Sequence, residues 1–221
     1  PNKNKIVELL DDLSPEAQLI GAVNTVLNDN GKLIGYNTDG YGFMQSVRDA
    51  GHDITGKNIT VMGVGGASMA ICAQSALDGA ASVHIFARRT SRYWNRTQKF
   101  AENLSAKTGC QVCLFDNDDH TALRDSIAQS YLLINATSVG MVPDIDDTII
   151  KDTSLFHPEL VVADVVYEPQ ETRLLREAKA AGCQTFNGMY MLLHQGAKAF
   201  QIWTGQEMPV SVIKEKYFSV K

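Results

Sequence analysis

Residues 61–71 read VMGVGGASMAI, and how this stretch folds decides how the rest of the chain is read. Four small residues, Gly65, Gly66, Ala67 and Ser68, lie between an apolar run and a helix-compatible run. An ordinary turn needs one or two such residues, so their number points to something that comes very close to the backbone. Gly63 makes the tight turn after a strand, and Gly65 lets a diphosphate reach the main chain. The helix that follows offers free N–H groups and a partial positive charge at its start. Ser68 stands where the dinucleotide-binding pattern has its third glycine, and it still leaves a small residue for packing helix against strand.

Outward from this loop, short apolar segments alternate with longer helical ones. The spacing predicts strands at 58–62, 82–87, 111–115, 131–135, 160–164 and 184–186, and helices at 68–79, 91–108, 121–130 and 172–181. That order signals an α/β fold with a doubly wound parallel sheet, a Rossmann domain. Strands with little alternation suit a sheet covered by helices on both faces. Ahead of it, 4–13 reads as an amphipathic helix, and Ser14 with Pro15 opens a second short helix. Strands at 22–27 and 32–36 flank the turn-rich tetrad Asn28 to Gly31, a hairpin signal. A helix is predicted at 40–50, and two more at 189–205 and 209–217. Organisation follows: 1–40 is the remainder of a smaller α/β substrate domain, 41–188 the Rossmann domain, and 189–221 helices packing back towards the substrate domain.

The end of the second strand of the large sheet tests which dinucleotide is held. A free ribose 2′-hydroxyl is usually held there by a carboxylate, but the sequence runs Phe86, Ala87, Arg88, Arg89, Thr90. Two guanidiniums and a hydroxyl suit a phosphate, because arginine presents forked donors and stays charged. The expected cofactor is therefore NADP, with NAD left open.

Composition sets bounds on partners. A formal net charge of -5 lacks the basic footprint of nucleic-acid binders, and no apolar run approaches a bilayer span. Neither nucleic acid nor membrane is expected as a partner. The four cysteines are scattered, which fits a cytoplasmic setting. Cys110 and Cys113 have C-x-x-C spacing but no second ligand pair nearby, so no metal is expected.

Hydride chemistry needs a group that moves a proton. Lys3 near the start, and Asp39 in NTDG at 37–40, would form such a pair if they met across a cleft, the carboxylate holding the ammonium against a substrate hydroxyl. Taken alone, Lys3 could be a solvated lysine and Asp39 a plain helix N-cap.

The ordered motifs GAVNT at 21–25, NTDG at 37–40, GVGGAS at 63–68, NATSVGM at 135–141, DVVYEP at 164–169 and NGMYMLLHQG at 187–196 resemble the shikimate dehydrogenase family. In detail the chain is most similar to the quinate/shikimate dehydrogenase branch, given GGAS after the first strand of the large sheet, paired arginines after the second, and WTG at 203–205. The resemblance implies reversible NADP(H)-dependent reduction of 3-dehydroshikimate to shikimate in aromatic amino-acid biosynthesis, with quinate as a further substrate. It implies Lys3 and Asp39 as the catalytic pair and Asn24 and Gln195 on the ring hydroxyls. Tyr167 is counted with the substrate contacts at the nicotinamide end, beside Val165 and Gly188. Gly63, Gly65, Gly66, Ala67 and Ser68 would serve the pyrophosphate, and Arg88, Arg89 and Thr90 the adenosine ribose; Thr137 and Met191 complete the cofactor contacts. Met191 and Gln195 are four apart and share a helix face, whereas Leu192, Gly196 and Phe200 read as core. Family members usually have Asn where Ala87 stands, so one ribose contact is lost and the choice of cofactor is less tightly set; the dual-cofactor branch often has an acid where Thr90 stands, and its loss leans towards NADP with NAD left open.

Members of the family also carry a strand–helix segment ahead of the position of Pro1, with Ser and Thr residues for the substrate carboxylate. A chain of these residues alone is expected to bind cofactor and turn over poorly. A homodimer is a further expectation. From a different class, a non-catalytic NADP(H)-sensing module is the competing reading.

Overall fold

The computed structural model describes residues 2–218. Its organising element is a six-stranded, all-parallel sheet in the order β6-β5-β4-β7-β8-β9. These strands are β4 (Asn58–Met62), β5 (Ser82–Ala87), β6 (Gln111–Asp116), β7 (Leu132–Asn135), β8 (Val161–Asp164) and β9 (Gln184–Phe186). Counted from β4 the order is 3-2-1-4-5-6, the doubly wound arrangement predicted from the alternation of strands and helices. The strand order reverses between β4 and β7, and ligands in such sheets bind outside the carboxyl ends at that point. The glycine loop leaves β4 there.

Both faces of the sheet are covered, which is why its strands read as apolar runs. Ile59 and Val61 of β4 point into one core with α3 (Gly66–Leu77), α4 (Trp94–Thr108) and α2 (Asp39–Asp49). Met62 points into the other, with Phe86, Ile127 of α5 (His120–Gln129), and Leu174 and Leu175 of α6 (Arg173–Ala180). Between Ile59 and Val61, Thr60 is fully buried and satisfied by Ser126 and Ser130 hydroxyls, each at 2.6 Å.

A smaller three-stranded sheet, order β1-β3-β2, joins β1 (Asp12–Leu13), β2 (Thr25–Asp29) and β3 (Lys32–Tyr36). The hairpin turns on Asn30 and Gly31, at φ 52° and 97°, the backbone a two-residue turn needs. Before it, α1 (Pro15–Ile20) starts as predicted: the Ser14 hydroxyl accepts from Ala17 N and Pro15 sits in the first turn. The helix predicted over 4–13 is not formed. A short 3-10 turn spans Lys5–Leu9, and the chain then extends, with Leu10 at φ −107° and ψ 146°. Pairing along β3 wins over helical periodicity there: Asp11 N donates to Leu33 O, and Leu33 N to the Asp11 carboxylate. Leu9 is left 75% exposed, while Leu10 and Leu13 pack over Gly35 of β3, so the apolar stripe is split by the extended chain instead of buried on one helix face.

At the other end α7 (Met189–Thr204) runs against α2, followed by α8 (Val210–Ile213) and a π-helical turn over Lys214–Phe218. Gly42 makes the α2–α7 approach possible, since a Cβ there would lie 2.6 Å from Gln195 N and 2.7 Å from Met191 O. Trp203 Nε1 donates to Val26 O at 3.0 Å, tying the end of α7 to the small sheet. Leu192, read as core from its place on α7, is 46% exposed: its side of the helix faces outward.

Candidate functional site

The site is built where the small sheet, α2 and α7 meet. Asn37 leaves β3, and its buried amide donates to Ala22 O and accepts from Asp39 N, which sets the turn into α2. Thr38, not Asp39, takes the N-cap position, and its side chain makes no cap hydrogen bond. Asp39 is thus the first helical residue, its side chain 11% exposed and aimed sideways at Lys3. Lys3 Nζ donates to Asp39 Oδ2 in an ion pair. The lysine is placed by its own backbone, because Lys3 O accepts from Val23 N.

Asn24 completes the cluster. Its amide donates to Asp39 Oδ1 at 2.9 Å and Thr38 Oγ1 at 3.0 Å, and it lies 3.4 Å from Gln195 Oε1, on α7. Thr38 N donates back to Asn24 Oδ1. Lys3, Asn24, Asp39 and Gln195, scattered along the sequence, therefore form one constellation: an ammonium held by a carboxylate, ringed by amide groups that can address hydroxyls. Lys3 remains half exposed, with a side-chain exposure of 47%, so its ammonium can reach a ligand.

The glycine loop has the geometry of a diphosphate cradle. Gly63 lies at φ 110°, where a Cβ would strike Thr137 at 2.8 Å. Gly65 and Gly66 differ: a Cβ at either would meet nothing within 4 Å. Packing among the described residues does not demand glycine at those two positions, and the open space leaves room for a ligand to approach the backbone. Gly65 caps α3 with no side chain to satisfy the helix N-terminus. Ser68 is buried and its hydroxyl donates to Gly63 O at 2.6 Å, holding the loop against its helix. Ala67 is half-buried behind them.

At the end of β5, Arg88, Arg89 and Thr90 are exposed. Gly63 N donates to Phe86 O, which brings the start of the glycine loop against the strand that presents them. Neither guanidinium pairs with a carboxylate among the described residues, leaving both available for an anion. These observations fit a phosphorylated dinucleotide: a backbone cradle open to a diphosphate, with cationic side chains at the neighbouring strand end.

Thr137, Val165 and Tyr167 line a separate cavity of about 460 Å³ with Ser138, Met141, Val142, Val166 and Glu168. Tyr167, 46% exposed, stands on the wall of this cavity. Gly188 passes so near β8 that a Cβ would sit 2.1 Å from Val165 O. Met191 packs against the core beneath α2. Behind the cavity, fully buried Asp164 accepts from Val166 N at 2.9 Å, Thr172 Oγ1 at 2.8 Å and Asn135 Nδ2 at 3.0 Å. Burial pushes its carboxyl above the ordinary range, against the pull of those donors. Asn135 in turn accepts from Thr137 N and Oγ1, so one buried network holds both walls.

Sequence reasoning left three features without a role. Asn37 and the Asn135–Asp164 pair lie inside quoted motifs, but their part is to position neighbours, which only a hydrogen-bond map reveals. Arg96, Tyr93 and Thr97 of the α4 region line a cavity of about 130 Å³ together with Gly65 and Gly66. A cation one turn inside a helix that starts beside the loop was the available signal.

Fold and site together define a dinucleotide-dependent dehydrogenase, with a glycine loop at the sheet's switch point and a lysine–aspartate pair at the edge of the small sheet. The chain belongs to the shikimate dehydrogenase family. The family description "Shikimate 5'-dehydrogenase C-terminal domain" matches residues 188–216. The NADP(+) shikimate dehydrogenase of Listeria innocua serovar 6a is 52% identical over 218 residues, covering 99% of this chain and 75% of that protein. Quinate/shikimate dehydrogenase of Escherichia coli O139:H28 is 42% identical over 215 residues, 97% of this chain and 74% of that one. Among solved structures, shikimate 5-dehydrogenase from Listeria monocytogenes, crystallised with shikimate and NAD, superposes with a TM-score of 0.94 at 52% identity, over 97% of this chain and 74% of that one. The competing non-catalytic reading has no support in these likenesses. Among the described residues no helix is long and apolar enough to cross a membrane.

Proposed function

We propose that this chain carries the reversible NADP(H)-dependent reduction of 3-dehydroshikimate to shikimate, with NAD and quinate as further partners. The carrying observation is the Lys3–Asp39–Asn24–Gln195 cluster, packed beside a backbone cradle that leaves space at Gly65 and Gly66. The curated likeness to NADP(+) enzymes and the solved likeness to a shikimate complex support the same substrate and cofactors.

The dinucleotide, when bound, supplies the hydride for the ring carbonyl carbon. Gly65, Gly66, Ala67 and Ser68 would receive its diphosphate, Arg88, Arg89 and Thr90 its adenosine ribose, and Thr137, Val165, Tyr167 and Gly188 its other end. Lys3 Nζ hydrogen-bonds the substrate oxygen and gives it a proton in the direction of reduction; in the reverse direction the same nitrogen takes it back. Asp39 keeps that ammonium aimed. Asn24 and Gln195 hold neighbouring hydroxyls, which fixes the ring carbon relative to Lys3.

A positioned acid–base group contributes ~10²- to 10⁴-fold, so Lys3→Ala and Asp39→Ala should each lower kcat by that order while cofactor still binds. Absorbance of the reduced nicotinamide, followed with shikimate and NADP+, reads the effect. Near-normal kcat in both variants overturns the assignment. The same reading carries a cytoplasmic setting, which four free cysteines suit, and a homodimer, tested by sedimentation equilibrium.

A further inference from the structure

Three arginines cluster where β5 hands over to α4, and the structure treats them differently. The Arg88 side chain makes no hydrogen bond, ion pair or ring contact among the described residues. Arg92 is engaged by its neighbour, with Nη2 donating to Tyr93 Oη at 2.6 Å. Arg89 lies with its guanidinium carbon 4.6 Å from the centre of the Trp94 ring. Trp94 is only 7% exposed, so the surface under this exposed arginine is fixed by the fold. The intervening backbone is fixed as well: Ser91 N donates to Arg88 O, and Trp94 N to Ser91 O, two successive turns that fold the segment back on itself.

A free surface arginine loses much of its rotamer freedom when it grips a ligand. One already seated over an indole has lost part of that freedom beforehand and can still present donors to a ligand. We infer that Trp94 is a positioning residue that sets cofactor choice: it holds Arg89 ready for the 2′-phosphate, favouring the phosphorylated dinucleotide over the unphosphorylated one. This rests on the reading, proposed above, that Arg89 faces the adenosine ribose. The effect discriminates because a guanidinium placed on a dianion gains a charge-assisted, two-pronged contact, whereas a ribose hydroxyl gives it at most a single neutral partner.

The test is steady-state kinetics with shikimate and each of NADP+ and NAD+, on the wild type, Arg89→Ala, Arg89→Lys, Trp94→Leu, Trp94→Phe and the Arg89→Ala/Trp94→Leu double variant, with thermal melting of each. Trp94→Leu is expected to raise KM for NADP+ about two- to fivefold, the worth of an exposed cation–π contact, with kcat and the KM for NAD+ unchanged. Trp94→Phe, which keeps an aromatic face, should recover most of the loss. In the Arg89→Ala background Trp94→Leu should add nothing. Arg89→Lys leaves the indole untouched and keeps the charge but neither the fork nor the planar stack, so it should lose NADP+ preference at least as far as Trp94→Leu; if Trp94→Leu melts, the same ratio is read on Trp94→Met, which fills the site without a ring. Equal rises in KM for both cofactors, or no change in Trp94→Leu and Arg89→Lys while Arg89→Ala alters the ratio, would overturn the inference and leave the cofactor reading standing. An unchanged ratio in Arg89→Ala would remove the reading of Arg89 itself, and the inference with it.

Discussion

Asn24 shows how one amide can organise a polar cluster. It donates to the carboxylate that holds Lys3 and accepts from the backbone at the start of α2. Removing it leaves the Asp39 oxygen with one partner fewer and frees the lysine to wander. Gln195 is simpler, since it reaches the cluster from α7 and its side chain accepts from Asn24 alone among the described residues. Gln195→Ala should therefore raise the KM for shikimate, by about two- to tenfold for one neutral hydrogen bond, while the KM for NADP+ stays put. A matched rise in both constants would mean that Gln195 supports the fold and not the substrate. Asn24→Ala should instead lower kcat, because it loosens the catalytic pair.

Two glycines separate ligand space from packing space at the level of elements. Gly65 caps α3 at φ −79° and ψ −179°, a backbone open to any residue, and has empty space where a Cβ would go. Gly65→Ala is expected to melt like the wild type, yet to weaken NADP+ by at least about fivefold, since an intruding methyl costs ~1–3 kcal/mol. Unchanged cofactor affinity would show that nothing approaches the loop. Gly42→Ala is the opposite case: its methyl would press into the α7 backbone at 2.6 Å. It should lower Tm by several degrees, at about 2–4 °C per kcal/mol for a chain of this size, and reduce turnover by shifting Gln195. Alternating strands and helices, with the loop between β4 and α3, were legible in the sequence because local periodicity and turn chemistry carry them. The β1 segment was not legible, because its extended form depends on a partner strand some twenty residues downstream, and helical spacing in 4–13 gives no hint of that.

Across the whole molecule, three histidines share one electrostatic condition. Burial pushes the imidazoles of His52, His84 and His194 below their ordinary value near 6.5, in His194 against the pull of Asp49. The folded state keeps them neutral where the unfolded chain would already bind protons, so protons favour unfolding. Stability should be level near neutral pH and fall as pH drops below about 6.5. His84→Gln, which keeps a hydrogen-bonding group beside Ser126 Oγ, at 2.9 Å from His84 Nδ1, should flatten part of that fall in Tm measured between pH 7 and pH 5. An unaltered slope would mean that His84 takes no part in the acid sensitivity.

By itself the sequence determined the parallel sheet, its glycine loop and the absence of an acid at the end of β5, since each is encoded within a few neighbouring residues. Only the tertiary structure decided that Lys3 meets Asp39, and that Asn24 and Gln195, 171 positions apart, close one cluster. It also decided that Arg89 rests on Trp94 and that Leu192 faces outward. The Asn24–Gln195 contact and the outward turn of Leu192 depend on how α7 packs and which way it is turned, the Lys3–Asp39 pair on the backbone pairing of Lys3 with Val23, and the Arg89–Trp94 stack on the two turns between β5 and α4; no periodic pattern of residues specifies any of these.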